Sequence, residues 1–79
     1  MLPIQCKMAR TALGIGVREL AEMAMVSPDT VSRLERGETL RQRTVEDIKA
    51  TLEERGVIFL ADGETTDGGP GVRLRRGNA

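Results

Sequence analysis

Through residues 1–56 the apolar positions recur every three or four residues, and beyond Gly56 they run together or alternate. The first pattern predicts helices and the second predicts strands. Ile4, Met8 and Ala12 share one helical face, with Ala9 and Leu13 beside them. Pro3 suits a first helical turn and Gly14 a stop, which predicts a helix over about residues 3–13. Leu20, Ala21 and Ala24 mark a second, short helix, with Gly16 as an acceptable N-cap and Glu19 three residues on. Ser27 caps a third, because Pro28 gives up an N–H that would be unpaired there anyway. Val31 and Leu34 turn one face of this helix inward, and Gly37 ends it. Thr44 is the predicted cap of a fourth helix, with Glu46 and Asp47 in its first turn, where they favour the dipole. Its apolar stripe is Val45, Ile48 and Leu52, Arg55 lies in its last turn, and Gly56 is the left-handed stop.

Val57-Ile58-Phe59-Leu60 is a short apolar run with β-branched and aromatic members, and Val72-Arg73-Leu74-Arg75 alternates. Between them, residues 62–71 are rich in Gly and Asp and contain Pro70, which predicts a long turn. The sum is a mainly α fold: a small bundle of about four helices over residues 1–56, with a C-terminal β-hairpin or tail over residues 57–79. A lone two-stranded hairpin is marginal in water, so it must pack on the helices or pair with a second copy. The apolar Val57, Phe59, Val72 and Leu74 suggest a contribution to a dimer contact.

Length admits one compact domain: the chain has 79 residues, and one this short buries only about 60% of its unfolded surface. Its single Cys forbids an internal disulfide that would compensate for a thin core. No apolar run approaches the roughly 18 residues of a membrane span, and the N-terminus lacks the apolar stretch of a signal peptide. These features predict a soluble cytoplasmic protein with no membrane association. The net charge is zero but unevenly spread: +2 over residues 1–15, −2 over 16–38, +2 over 39–45, −2 over 46–55, −3 over 56–71 and +3 over 72–79. Neutrality argues against a strong non-specific polyanion binder and leaves room for a local basic footprint.

The side-chain chemistry weighs against catalysis. There is no His to act as general base or to activate Ser27 or Ser32, and no ordinary structural zinc site can be assembled from one Cys. The carboxylates sit among Arg and Lys on predicted helices, where a solvated face is the simpler reading. Met8, Met23 and Met25 read as packing residues and Cys6 as an inert, partly buried one. Gly14-Ile15-Gly16 and Gly68-Gly69-Pro70-Gly71 lack the rest of a phosphate-loop fingerprint and read as turns. No enzymatic activity, cofactor or metal is expected.

The functional signal is in residues 17–36. Two short helices meet at a three-residue turn, Met25-Val26-Ser27, with Leu20, Ala21, Ala24, Val26, Val31 and Leu34 facing inward. Ala21 is small where the two helices cross. Ser27, Pro28, Asp29, Thr30, Ser32, Arg33 and Arg36 are left on the outer side and leading end of the second helix of the pair. That is the arrangement of a helix-turn-helix, whose second helix enters the DNA major groove.

Arg10, Leu13-Gly14, Glu19-Leu20-Ala21, Val26-Ser27, Thr30, Val31, Arg33-Leu34-Glu35 and Gly37 resemble the phage lambda repressor and Cro-like, or XRE-type, helix-turn-helix family over roughly residues 5–56. The resemblance implies a structural ion pair between Arg10 and Glu35. It implies base contacts from Pro28, Asp29, Ser32 and Arg33. It implies phosphate contacts from Arg18 near the start of the second helix, from Ser27, Thr30 and Arg36, and from a loop around Thr39, Arg41 and Arg43. The chain also departs from the pattern. Gly16-Val17 replaces the family's Ser or Thr followed by Gln, which removes a polar contact. Met25 replaces a turn Gly; a left-handed Met costs about 1 kcal/mol relative to Gly, so the turn is either altered or helped by burial of the Met. Pro28 donates nothing and offers apolar contact, for instance to a thymine methyl. Arg33 suits guanine O6 and N7, and Asp29 could accept from cytosine N4.

The expected function is therefore a sequence-specific double-stranded DNA-binding transcriptional regulator, nucleoid-associated when bound, with residues 28–36 in the major groove. One recognition helix reads few base pairs. A homodimer on a palindromic site, with half-sites about 34–36 Å apart, would double the readout. The alternative is an antitoxin or anti-repressor acting mainly through a protein partner, which the acidic segment 46–67 and the apolar strand would serve. Arg33, Arg36, Arg41 and Arg43 could also be plain solvated charges, as could Arg73, Arg75 and Arg76.

Overall fold

A computed structural model describes residues 1–77. Four helices, α1 (Pro3–Leu13), α2 (Val17–Ala24), α3 (Pro28–Glu35) and α4 (Gln42–Glu54), precede two strands, β1 (Val57–Leu60) and β2 (Gly71–Leu74). The fold is mainly α with a small antiparallel sheet at the C-terminus.

Local chemistry sets the helix ends. Ser27 Oγ accepts the Thr30 N–H at 3.1 Å and caps α3, with Pro28 in the first turn. The Gly16 N–H donates to Glu19 Oε1 at 3.3 Å and closes the start of α2. Helices α1, α2 and α3 all end in a Schellman motif, in which one residue turns left-handed and the next N–H reaches back five residues. The bonds are Ile15 N to Arg10 O at 3.0 Å, Val26 N to Ala21 O at 2.9 Å and Glu38 N to Arg33 O at 3.0 Å. The left-handed residues are Gly14, Met25 and Gly37, with φ of 70°, 59° and 87°. Only the middle one carries a side chain. Met25 keeps the turn geometry and is 91% exposed, so the expectation that the turn is altered or that burial of the Met helps it fails.

The start of α4 is also corrected. The helix begins at Gln42, with Arg41 at the cap position, and Thr44 lies in its first turn. Gln42 and Arg43 are good helix formers and carry the helix two residues further back than Thr44. Arg43 is thus helical rather than part of a loop, no acidic residue lies in the first turn, and Arg55 is the C-cap.

The core is a cluster of Cys6, Ala9, Leu20, Ala21, Val31, Leu34, Ile48, Leu52 and Val57. Each fully buried Leu, Ile or Val contributes about 1.5–3 kcal/mol. On α1 the inward face is Gln5, Cys6 and Ala9, with Leu13 packed beside it. Ile4 and Ala12, expected inside, are exposed. The face is rotated because the hairpin lies against α1 and needs polar partners there. Gln5 Nε2 donates to Leu60 O at 2.9 Å and to Gly71 O at 3.0 Å, and its Oε1 accepts the Leu2 N–H at 2.8 Å. Leu60 and Gly71 are cross-strand partners at the loop end of the hairpin, so one buried side chain fastens both strands to α1. At the other end, the Arg75 N–H donates to Gly56 O at 2.6 Å.

The hairpin pairs Val57 with Leu74 and Phe59 with Val72, and β2 begins at Gly71, one residue before the expected strand. Val57, which the sequence suggests for a contact with a second copy, is instead inside the core, and Phe59 and Val72 pack against it. Lys49 sits over the Phe59 ring, its Nζ 5.9 Å from the centroid. Of that apolar set Leu74 stays exposed, and so does Ile58 on the other face. The expected C-terminal unit, 57–79, extends two residues past the described ones.

Candidate nucleic-acid interface

Helix α3 is held from behind. Val31 and Leu34 are buried in the core, and Arg10 on α1 grips Glu35 at its last turn, Nε to Oε2 at 2.7 Å and Nη2 to Oε1 at 2.7 Å. Cys6 Sγ donates to the same Glu35 Oε2 at 3.3 Å. Burial pushes the Glu35 carboxyl up, but hydrogen bonds from Arg10 and Cys6 and the charges of Arg10 and Lys7 outweigh it, and the net shift is downward. The Cys6 thiol is pushed up to about 12 by burial and by donating to an anion.

The opposite side of α3 is open. Ser27, Pro28 and Asp29 at its leading end are exposed, Thr30, Ser32 and Arg33 are half-buried, and Arg36 is exposed. Asp29 lies in the first turn, where the helix dipole favours an anion. Thr30, Arg33, Thr39, Leu40, Arg41 and Thr44 line one shallow, polar groove between α3 and the start of α4. The structure thus brings together four residues that the sequence assigns to DNA contact: Thr30, Arg33, Thr39 and Arg41. Ser27 joins them through a 2.8 Å hydrogen bond between its hydroxyl and that of Thr30. Arg18, Pro28, Asp29, Ser32 and Arg43 lie outside the lining of that groove. Arg18 is on α2 and Arg43 in the first turn of α4, both exposed.

One residue the sequence reading does not single out sits among them. Glu38 accepts from Arg33 Nε at 3.0 Å through Oε1, and from Arg36 Nε at 3.0 Å and Nη2 at 2.8 Å through Oε2. Those hydrogen bonds hold its carboxyl below the usual range. Spacing rules on a helix face cannot find this contact, because Gly37 reverses the chain between the arginines and Glu38.

The family profile described as Helix-turn-helix matches residues 7–55, most of the chain: α1 from Lys7 onward and the whole of α2, α3 and α4. The chain belongs to the lambda repressor-like, XRE-type helix-turn-helix family. No curated protein matches the sequence. The XRE-type family is one of DNA-binding regulators, which fits an α3 anchored on one side and open on the other. No helix among the described residues is long and apolar enough to cross a membrane. No group of three or more His, Cys, Asp or Glu among them could hold a metal ion.

Proposed function

We propose that this XRE-type protein is a sequence-specific double-stranded DNA-binding transcriptional regulator that inserts α3 into the major groove. The observation that carries the reading is the two-sidedness of α3: Val31 and Leu34 lock it to the core, while its leading end and Arg33 stay accessible. Pro28, Asp29, Ser32 and Arg33 are the residues assigned to base edges. Arg33 is suited to guanine, and Pro28 to apolar contact with a thymine methyl. Arg18, Ser27, Thr30, Arg36, Thr39, Arg41 and Arg43 are assigned to phosphates, which fix register without reading sequence.

The regulator works as a homodimer on a palindromic site, in the cytoplasm and at the nucleoid when bound. Specificity supports the dimer, because one helix of this length reads too few base pairs to select a genomic site. Leu74, exposed at the edge of the face it shares with Val57, gives the hairpin apolar surface for a second copy, in place of the buried Val57. The hairpin, residues 57–79, serves as that dimerisation element, and residues 1–56 as the DNA-binding unit.

A binding-site selection from random duplexes with purified protein tests the reading, since it reports sequence, symmetry and spacing together. Enrichment of an inverted repeat with half-site centres about 34–36 Å apart supports it. No enrichment at low salt rejects it.

A further inference from the structure

We propose that Glu38 is a positioning residue that presents the terminal nitrogens of Arg33 to a guanine edge, and so sets base discrimination without touching DNA itself. The inference rests on the DNA-reading role of α3 given above.

Its main chain is fixed first. Gly37 turns left-handed, and the Glu38 N–H closes the Schellman motif on Arg33 O at 3.0 Å. The backbone of Glu38 is therefore bonded to the residue that its side chain also holds. The two arginines are engaged differently. Arg36 gives both Nε and Nη2 to one oxygen, Oε2, which ties it to the carboxylate and steadies it. Arg33 gives only Nε, to Oε1. Arg33 makes no hydrogen bond to Glu38 through its terminal nitrogens, and the Nε bond limits where its guanidinium can point. A pair of Arg N–H donors in a fixed fork is what bridges guanine O6 and N7. An unsupported Arg samples many rotamers and must give up that freedom on binding. One held by Glu38 has given up part of that freedom before binding.

A carboxylate beside DNA also repels phosphates, so the same residue could act purely as a brake. The two roles give different measurements. A brake weakens every duplex alike, whereas a support acts at one base position.

The test uses the intact protein and the duplex enriched by selection with it. Dissociation constants are measured for wild type, Arg33→Ala, Glu38→Ala and Glu38→Gln on that duplex and on a set with each guanine replaced in turn. Arg33→Ala is expected to abolish the preference at one guanine. Glu38→Ala should cut the preference at that same guanine by at least about fivefold, the lower end of what a bidentate Arg contact supplies. Affinity for the replaced duplex should hold or rise, and Glu38→Gln should lose less because it keeps an acceptor. Glu38 is exposed, so its variants are expected to fold, which circular dichroism checks. An unchanged guanine preference in Glu38→Ala overturns the proposal, whatever happens to overall affinity. So does an Arg33→Ala protein with every preference intact. If wild type enriches no duplex, the DNA-reading role itself falls and takes the proposal with it.

Discussion

Arg10 on α1 and Glu35 on α3 meet through two hydrogen bonds of 2.7 Å, with only 15% and 12% of their side chains exposed. Cys6 Sγ donates to the same carboxylate, and Arg10 Nη1 reaches Ile15 O at 3.4 Å. One cluster therefore binds α1, the α1–α2 connection and the C-terminal end of α3. With Val31 and Leu34 it fixes how α3 stands on the bundle. A recognition helix needs that rigidity, because base contacts tolerate little displacement.

Removing Glu35 leaves Arg10 largely buried without its partner. Glu35→Ala is expected to lower stability by about 2–3 kcal/mol, less than for a fully buried pair because some water reaches the site. Chemical denaturation of both proteins checks the value. The pH dependence has a definite sign. The folded carboxyl lies below its ordinary value of 4.5, so the pair contributes fully above that pH and is lost as pH falls through the depressed value. Glu35→Gln should flatten this acid limb. An acid limb as steep in the variant as in wild type would contradict the assignment.

Cys6 is buried and its thiol is held up to about 12, so little thiolate exists near neutral pH. The native protein should resist thiol-reactive disulfide reagents at pH 8 and react promptly in denaturant. Fast native labelling would show that α1 opens far more often than its packing implies.

Met25 holds a left-handed turn with an exposed side chain, so it has steric strain and little packing to lose. Met25→Gly should raise stability by about 0.5–1 kcal/mol. Thermal unfolding reads the gain. A loss would mean that the side chain contributes contacts which 91% exposure does not suggest.

Gln5 is the buried tie between α1 and the hairpin. Gln5→Ala leaves Leu60 O and Gly71 O without that donor and should cost about 1–3 kcal/mol. Amide exchange in β1 and β2 should rise more than in α2 and α3. Equal changes everywhere would place the tie elsewhere.

What was legible in the sequence follows how local each determinant is. Ser27-Pro28 and Gly37 bracket α3 by chemistry confined to a few residues, and α3 lies where they put it. The hairpin is legible as an apolar run, a turn-rich stretch and an alternating segment, but whether the helices or a second copy cover it is not. Val57 reads as part of a dimer contact because nothing in a four-residue run says which neighbour covers it. Periodicity does not find the inward face of α1, because it counts apolar residues, while the position facing the hairpin carbonyls needs the amide of Gln5. Thr44 is a good cap by type, yet Gln42 and Arg43 extend the helix past it. At the candidate interface, the exposed residues of α3 follow from helical geometry. The bridge from Glu38 to Arg33 and Arg36 does not, since it depends on a chain reversal at Gly37.

If α3 is the surface that meets DNA, amide chemical-shift mapping during titration with the selected duplex shows it directly. The largest perturbations are predicted at Ser27 through Arg36 and around Thr39 to Arg43, with the solvent side of the hairpin loop, residues 62–69, little changed. Perturbations centred on the hairpin or the C-terminal half of α4, with α3 silent, would contradict it.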